Sequence, residues 1–464
     1  MAFTTIITRQ CACRFLTKVR RSKEEGSLDK SIAARCAREK ECRKTKQSDQ
    51  LNTNKKKRKL PFEAASDLNR RILWISFLFM DKSLHKITQI EILRHLAKRG
   101  YSVFLLALYS HEKIKTDYSD LKIYSLPMKE RPIIANALFV LLLLFFLPFY
   151  IMRFEPTYII VEPQDGTAFS LIPIALLPKS KRPKIILDAR TSHFIEAKNS
   201  RKFSDFFFDN SFYVAKKLFD GVTTITPMMK QDFSKKYNID PKRIGVWTSG
   251  VNTELFNPQN FARERTELRK KFGLTDKLVL LYHGSFGVSS GVGSRGIVET
   301  VESVALLKNR IDDVVLFLLG SGECSGRIME LVQEHEIQDR VIIHSPVDYK
   351  DVPRFIAMCD VGLQPFPDRS EWRSQCSLAL LEYLAMGKPV IATPLPLNLY
   401  VMGNCKCGIY VSSADPADIA KGILFVYSHK RELEQWGSFG KTVINEKFSW
   451  EKVAESFDEY LIQT

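Results

Sequence analysis

The sequence predicts an α/β protein with two Rossmann-like, doubly wound domains that face each other across a cleft. Short apolar runs typical of buried strands alternate with helical segments over residues 71–255. The same alternation repeats over residues 256–445. A strand, a glycine-rich loop and a helix follow one another over residues 278–305, which is typical of an anion-binding unit.

Charge and cysteine content narrow the classes of partner. The 464 residues carry a net charge of +17, of which residues 1–70 contribute about +11, so the remainder is only mildly basic. This balance favours an anionic membrane surface or a nucleotide diphosphate over a nucleic-acid groove. The nine cysteines form no disulfide framework, and Cys405 and Cys407 lack a second ligand pair, so we expect a reducing, cytosolic compartment and no metal.

Residues 1–70 are polar and are expected to be disordered or weakly helical. Met1–Ser22 lacks acidic residues, as transit peptides do, and Lys55–Lys59 could act as a nuclear import signal or a membrane-binding run. A solvated extension is the interpretation that we prefer. No secretory signal is visible.

The first domain opens with a strand–helix–strand unit. Arg71–Phe77 and Ser102–Leu108 are predicted as parallel strands, joined by a helix over Gln89–Lys98. His85 lies in the intervening loop, where it could contact a ligand or simply be solvated.

Residues 133–152 form the most apolar stretch and are long enough to cross a bilayer. Crossing would separate strands that should share one sheet, so we expect either a helix lying in one leaflet or a core helix. The leaflet interpretation predicts a membrane lipid surface as a partner.

A further strand over 184–190 ends in Asp188 and Arg190. Ligands of open α/β sheets bind at the carboxyl ends of strands, so these side chains are candidate site residues. A mutual ion pair that braces the loop is the alternative. Strands over 221–226 and 244–248 complete this sheet.

In the second domain, the strand over 278–282 leads into the loop Gly284–Gly296 and a helix from Ile297. Backbone amides there can approach an anion, and Arg295 can bind a diphosphate with both ends of its guanidinium. Gly320 and Gly322 follow the strand over 314–319, but the spacing does not fit a dinucleotide fingerprint.

The central stretch is a short apolar helix that runs from Ser377, its predicted N-cap, to Met386. Gly387 ends the helix, and a buried strand over 390–393 follows. Glu382 lies among apolar neighbours, where a carboxylate is costly unless something binds it. Either an arginine or backbone amides satisfy it, or it awaits the hydroxyl groups of a ligand.

This stretch resembles the donor-site helix of the retaining family 4 glycosyltransferases, which have the GT-B fold. Trp372-Arg373-Ser374-Gln375 precedes the helix, and Glu382-Tyr383-Leu384-Ala385-Met386-Gly387-Lys388-Pro389-Val390 lies within and after it. The resemblance implies that Glu382 holds the ribose of a UDP- or GDP-linked sugar. The family's second glutamate, eight residues earlier, is Ser374 here.

The resemblance implies further roles. Arg295 would hold the diphosphate with less help than usual, because Ser285 replaces the family's first cation. Arg190 or His193 would stand where a family histidine contacts the donor sugar, and His85 and Asp188 would lie on the acceptor side. The remaining donor-side candidates are Gly284, Ser285, Gly296, Gly320, Gly322, Val347, Ser374, Gln375, Ser377 and Leu378.

The implied activity is metal-independent sugar transfer with retention, without a cofactor beyond the nucleotide-sugar donor. A hinge at Gly250–Phe256 would join the domains, and a helix after Phe448 would return to the first. The acceptor would be a lipid or lipid-linked glycan, which places the protein on the cytoplasmic membrane face. The alternative is a degenerate, membrane-associated scaffold without activity. A third hypothesis, a nuclear protein that binds nucleic acid, depends on residues 55–59 alone.

Overall fold

The structure is a computed structural model, and it describes residues 70–79, 85–109, 121–127, 132–190, 201–287, 295–373, 376–404 and 407–464. The extension before residue 70 lies outside this description. The described residues form two parallel sheets, each covered by helices on both faces. The predicted fold class, two Rossmann-like domains, is confirmed.

The first sheet has seven parallel strands in the order β3-β2-β1-β4-β5-β6-β7. The strands are β1 (Arg71–Phe79), β2 (Ser102–Tyr109), β3 (Lys122–Pro127), β4 (Tyr158–Val161), β5 (Lys184–Ala189), β6 (Gly221–Thr224) and β7 (Ile244–Val246). The α-helices that follow them are α1 (His85–Lys98), α2 (Pro132–Phe154), α3 (Ile172–Ala175), α4 (Arg201–Leu218) and α5 (Pro227–Tyr237). The order reverses between β1 and β4, which puts a topological switch point there.

The second sheet has six parallel strands in the order β10-β9-β8-β11-β12-β13, so its switch point lies between β8 and β11. The strands are β8 (Leu278–Ser285), β9 (Val314–Ser321), β10 (Val341–His344), β11 (Val361–Gln364), β12 (Val390–Ala392) and β13 (Gly408–Tyr410). The helices are α6 (Ala262–Lys271), α7 (Ile297–Ala305), α8 (Ser325–Glu334), α9 (Val352–Met358), α10 (Ser370–Arg373), α11 (Leu378–Ala385), α12 (Pro396–Met402), α13 (Pro416–Ser428), α14 (Leu433–Val443) and α15 (Trp450–Gln463).

The charged segment 257–275, which follows the predicted hinge, contains the helix α6, because Leu268 gives it a buried anchor and its arginines bind the segment between α9 and β11. One local prediction needs correction. His85 is not in a loop but begins α1, which starts four residues before the predicted helix. Its side chain lies outside the described residues.

The helix α2 combines features of the two environments expected for residues 133–152. Phe139, Leu143 and Leu147 are fully buried against the first sheet, since they share one face of the helix. The opposite face exposes the apolar side chains of Leu138, Leu141, Leu144, Phe145, Phe149 and Met152. We call this second face the apolar stripe. Within the described part of the chain, no helix has the length and apolar character needed to span a bilayer.

The last helix, α15, packs on the first domain although it follows the second in sequence. Trp450 and Phe457 are buried with Trp74 and Trp247 against the first sheet. Asp458 accepts hydrogen bonds from Tyr101 at 2.7 Å and Arg99 at 2.9 Å. The chain therefore crosses back between the domains, and this crossover is joined to the hinge.

At the hinge, Val251 exchanges backbone hydrogen bonds with the segment that leads into α15. Its amide donates to the Phe448 carbonyl at 2.9 Å, and its carbonyl accepts from Trp450 at 3.2 Å. A Cβ at Gly250 would lie 2.7 Å from the Trp450 ring, so this position needs glycine. The two connections between the domains are thus held side by side.

Asp360 joins α6 to the amino end of β8 in the second sheet, and it gives the fold a testable pH dependence. It accepts from Arg265 at 2.7 Å, Arg269 at 3.1 Å and the Val279 amide at 2.9 Å. Burial raises the pKa of Asp360, but these three donors outweigh burial and hold the pKa below its usual value. A carboxyl with a lowered pKa stabilises the fold above its ordinary pKa and loses this contribution as the pH falls.

We expect Asp360→Asn to destabilise the protein by about 2–3 kcal/mol at pH 7, because two arginines lose a charged acceptor. The difference from wild type should shrink as the pH falls below about 4, where the carboxyl of the unfolded chain becomes protonated, and should vanish below the lowered pKa of the folded state. Thermal unfolding of both proteins across this pH range measures the effect. Asp232→Asn, at an exposed position of α5, is the control and should change little. A constant difference at all pH values would contradict the assignment.

Candidate functional site

The carboxyl ends of the strands of both sheets meet at the boundary between the domains. Thr248, which follows β7, donates its hydroxyl to the Cys376 sulfur at 3.6 Å, and Cys376 directly precedes the N-cap of α11. Cys376 also packs against the cores of both domains. The N-terminus of α11 is therefore next to the first domain.

The glycines at the ends of β8 and β9 allow the two chains to approach closely. A Cβ on Gly320, whose φ is +157°, would lie 1.9 Å from the Gly284 carbonyl oxygen. A Cβ on Gly322 would lie 2.4 Å from the Phe286 carbonyl carbon. These donor-side candidates are thus brought together, and packing alone is enough to require glycine at 320 and 322. The Ser285 hydroxyl accepts the Gly287 amide at 3.0 Å.

Arg295 and Gly296 lie directly before α7, whose N-cap is Gly296. At a φ of +80°, Gly296 approaches Pro365 so closely that a Cβ would lie 2.0 Å from the Pro365 carbonyl oxygen. The Arg295 guanidinium carbon lies 4.8 Å from the centre of the Trp372 ring. Arg295 is therefore held between the start of α7 and the segment that leads to α11.

Two buried donors in this region lack an acceptor among the described residues. They are the Nε of Arg295 and the Nε1 of Trp372, which are both shielded from solvent. Trp372 is only 2% exposed. Buried donors are nearly always paired in folded proteins, so this pair favours an acceptor that lies outside the described residues, and a bound anion would be one. Sequence reasoning used Trp372 only as part of a motif and missed it as a neighbour of Arg295.

Glu382 is 3% exposed, as its apolar surroundings predicted. Its Oε2 lies 3.2 Å from the Nε2 of His283, at the end of β8. The Tyr349 hydroxyl also hydrogen-bonds to Glu382, and burial, followed by this negative charge, raises the pKa of Tyr349 well above its usual value. Within the described residues, the carboxylate thus accepts a hydrogen bond from a phenol and lies beside an imidazole whose Nε2 is close but makes no well-directed hydrogen bond. No arginine or backbone amide of these residues satisfies it, although the structural alternative expected one.

His283 is itself held in place by Tyr383 of α11. The Tyr383 hydroxyl accepts the His283 amide at 3.0 Å and donates to the Leu281 carbonyl at 2.9 Å. The two rings meet edge to face, 4.9 Å apart. A Cβ at Gly362 would lie 2.4 Å from the Tyr383 ring, so this glycine makes room for the tyrosine. The Glu382–Tyr383 pair therefore ties α11 to β8.

Ser377 is the N-cap of α11, as predicted, but its side chain makes no capping hydrogen bond. Leu378 is the first residue of the helix, and both side chains are partly exposed. The first amides of a helix lack intrahelical acceptors and carry a partial positive charge. This end of α11 can accordingly receive an anionic or polar group.

On the first-domain side, Asp188 and Arg190 both contact Trp247. Asp188 is fully buried, and its Oδ1 accepts from Thr223 at 2.7 Å and from the Trp247 indole at 3.0 Å. Arg190 stacks on the Trp247 ring, 3.6 Å from its centre, and donates to the Trp247 carbonyl at 3.0 Å. The structure records no direct ion pair between Asp188 and Arg190, so the bracing alternative holds only through Trp247.

Burial shifts the pKa values of both Asp188 and Arg190. It raises the pKa of Asp188 against the opposing influence of Arg190 and its hydrogen bonds. It lowers the pKa of Arg190, although Asp188 raises it. Arg190 interacts electrostatically with Cys376 as well, so its guanidinium lies close to the N-terminus of α11.

The other predicted site residues are less informative. Val347 is half-buried and packs against the core of the second domain. His193, Ser374 and Gln375 lie outside the described residues. No cluster of three or more histidine, cysteine, aspartate or glutamate side chains that could bind a metal occurs in the parts of the chain that the structure describes.

Two family models match the chain. Residues 88–255 match the model described as Glycosyltransferase Family 4, and residues 264–443 match Glycosyl transferases group 1. A D-inositol 3-phosphate glycosyltransferase of Xylanimonas cellulosilytica is 26% identical over 51% of this chain and 55% of its own length. The chain thus spans about half the length of the curated relatives that it matches.

Solved structures share the fold. A glycosyltransferase from Rickettsia africae superposes with a TM-score of 0.67 at 16% identity, over 85% of this chain and 98% of that one. Anabaena HepE in complex with UDP gives 0.64 at 13% identity, over 85% and 100%. At these identities the superpositions establish architecture, and they confirm the GT-B arrangement.

Proposed function

The chain belongs to the group 1/family 4 glycosyltransferases of GT-B fold, and we propose that it transfers a sugar from a nucleotide-sugar donor to an acceptor. We further propose that the anomeric configuration is retained and that no metal is needed. The observation that carries this proposal is the convergence of Arg295, Glu382 and the N-terminus of α11 at the switch point of the second sheet.

The diphosphate of the donor would bind at Arg295. Its guanidinium can stabilise the negative charge that develops on the leaving nucleotide, and its unpaired Nε is a ready donor. The N-termini of α7 and α11 add amides and partial positive charge from two sides. Trp372 would hold the guanidinium plane in position by stacking.

The ribose would bind at Glu382. His283 and Tyr349 fix the carboxylate, so it meets ribose hydroxyl groups without first losing side-chain freedom. A carboxylate that accepts hydroxyl groups makes the stronger, charge-assisted kind of hydrogen bond. His283 and Tyr349 are therefore positioning residues in this proposal.

Arg190 would supply a second cation from the first domain. Ser285 cannot neutralise phosphate, whereas Arg190 lies near Cys376, directly before the N-cap of α11. The full burial of Asp188 favours a role in positioning Trp247, and through it Arg190, over direct contact with the acceptor. The donor-sugar role of His193 and the acceptor role of His85 stay predictions.

A binding and turnover screen tests the proposal. We expect isothermal titration of the full chain to detect UDP or GDP with a dissociation constant of roughly 1 µM to 1 mM, the usual range for substrates. The matching nucleotide sugar should release its nucleoside diphosphate when a membrane extract supplies acceptor. The HepE complex with UDP supports beginning with uridine nucleotides. Absence of both binding and release would favour the degenerate scaffold, which the departures from the family pattern at Ser285 and Ser374 support.

We also propose that the protein works at a membrane surface and that its acceptor is a lipid or lipid-linked glycan. The support is the apolar stripe of α2, where Phe145 is 79% and Met152 is 72% exposed. Contiguous exposed apolar surface of this kind is typical of an interface with a membrane or a partner. Co-sedimentation of the full chain with neutral phosphatidylcholine vesicles tests this attachment separately from catalysis.

A further inference from the structure

We propose that a basic pocket at the end of α2 binds the phosphate of an anionic lipid headgroup while the apolar stripe lies in the bilayer. The basic pocket is a cavity of about 340 Å³ lined by the cations Arg71, Lys122 and Arg153 and by Ser102, Phe104, Tyr124 and Phe154. It takes no part in the proposed sugar transfer, and it rests on the proposed membrane attachment.

The pocket is built by rigid elements. Arg71, Ser102 and Lys122 are the first residues of the neighbouring strands β1, β2 and β3. Arg153 comes from the last turn of α2. Because the three strands are parallel and hydrogen-bonded, their amino ends hold these side chains along one edge of the sheet.

Aromatic packing fixes the wall of the pocket. Phe154 stacks on Phe104 with ring centres 4.4 Å apart, and Tyr124 lies 4.8 Å from Phe154. Tyr124 is about one-third exposed, so its ring borders both the protein and its surroundings. Such an amphipathic ring is suited to the interface between headgroups and acyl chains.

The pocket carries excess positive charge. Arg71 donates to Glu155 at 2.9 Å and to the Phe154 carbonyl at 3.0 Å, so one acid offsets one of the three cations. The Lys122 ammonium lies over the Phe104 ring at 5.3 Å. Neither Lys122 nor Arg153 pairs with a carboxylate of the described residues. Two cations without a counter-charge favour an anion of phosphate type.

The position of the pocket points to a lipid as the source of that anion. The apolar stripe runs along α2 as far as Met152, and Arg153 follows directly. A helix that lies in a leaflet with this stripe buried brings its end to the headgroup layer. Basic residues at that depth attract anionic lipids. A free phosphate compound would need no adjoining apolar surface.

The pocket is separate from the donor site. It lies at the amino ends of β1 to β3, whereas Arg190 follows the carboxyl end of β5 in the same sheet. An eight- or nine-residue strand is about 25–30 Å long, so one site lies at the amino ends of the strands of the first sheet and the other at their carboxyl ends. Substitutions in the pocket should leave nucleotide binding unchanged.

The test measures co-sedimentation of the full chain with two kinds of vesicle, pure phosphatidylcholine and phosphatidylcholine with 30% phosphatidylglycerol. We expect wild type to bind both, and the anionic vesicles more tightly. Lys122→Gln/Arg153→Gln should lose roughly 10- to 30-fold of affinity for anionic vesicles, about five-fold per charge, and should keep its neutral-vesicle binding. Phe145→Asp should lose binding to both.

A matched control removes two exposed lysines elsewhere on the first domain. Lys235→Gln/Lys242→Gln changes net charge equally and should retain the preference for anionic vesicles. Equal loss in this control, or no loss in the pocket variant, would overturn the headgroup site. Millimolar glycerol 1-phosphate that weakens binding to neutral vesicles as strongly as binding to anionic vesicles would also overturn the headgroup site. The pocket would then serve a free phosphate compound.

The failures of the two proposals differ. If wild type binds neither vesicle, membrane attachment and the headgroup site fall together, and donor binding still tests sugar transfer. If it binds neutral and anionic vesicles equally, the headgroup site alone is wrong. Thermal unfolding of each variant checks that the fold persists, which we expect since Lys122, Arg153 and Phe145 are exposed.

Discussion

Replacing Glu382 with glutamine is expected to raise the KM for the nucleotide-sugar donor about 10- to 100-fold and to change kcat much less. The substitution keeps the shape of the side chain but removes its charge, and hydrogen bonds to a charged group contribute about 1.5–3 kcal/mol. Ribose contacts are present both before and during the reaction, so their loss affects binding more than the chemical step. Steady-state kinetics and isothermal titration of the nucleotide measure the two effects.

The controls separate ribose binding from the integrity of the fold. Tyr349→Phe keeps the ring that packs against Phe256 but removes one hydrogen bond to Glu382, so we expect a smaller rise in KM. Glu382→Ala is less informative, because it would leave the Tyr349 hydroxyl buried without its acceptor and destabilise the fold. Unchanged nucleotide affinity in a folded Glu382→Gln protein would refute the ribose assignment.

Replacing Arg295 with alanine should lower kcat by roughly 10²- to 10³-fold, the usual loss for a group that stabilises charge in the transition state. The loss should be large because Ser285 provides no charge beside the diphosphate. Arg295→Lys should recover only part of the rate, since a lysine can neither bind two oxygens side by side nor stack in the same way on Trp372. Steady-state kinetics at saturating donor give kcat for each variant.

Arg327→Ala is the matched control for this prediction. Arg327 lies on α8 of the same domain and, among the described residues, pairs with the exposed Glu330 and Glu334 alone. Its loss should leave kcat near the wild-type value. The kcat of Trp372→Leu should lie between those of Arg295→Lys and wild type, because this substitution removes the stacking surface but not the guanidinium. An Arg295→Ala protein with wild-type kcat would exclude Arg295 from the transition state.

Much of the fold could be predicted because buried parallel strands have a local signature. The apolar runs at β1, β8 and β9 are continuous, and each lies where the sequence predicted it. The predicted helix at Glu382 was confirmed as α11, because its signals, which are the N-cap, the apolar run and the terminal glycine, are also local. By contrast, β3 and β13 were missed: β3 carries half-exposed or exposed residues, and β13 is three residues long.

Within the site, the sequence indicated single residues better than their partners. The burial of Glu382 followed from its immediate neighbours, whereas His283 and Tyr349 belong to other elements and carried no signal of their own. A pair between Asp188 and Arg190, two residues away, was one of the two alternatives that the sequence left open. The structure instead pairs Asp188 with Thr223 and Trp247, because β6 and β7 bring those residues next to β5.

The sequence by itself determined the order of strands and helices, the two domains, the buried acid and the glycine-rich loop, since each depends on residues close together in the chain. Only the tertiary structure decided which groups hold Glu382, which face of α2 stays exposed, and that Arg71, Lys122 and Arg153 share one pocket. The physical reason is that these features depend on strand order and helix packing, which bring distant residues within a few ångströms of each other.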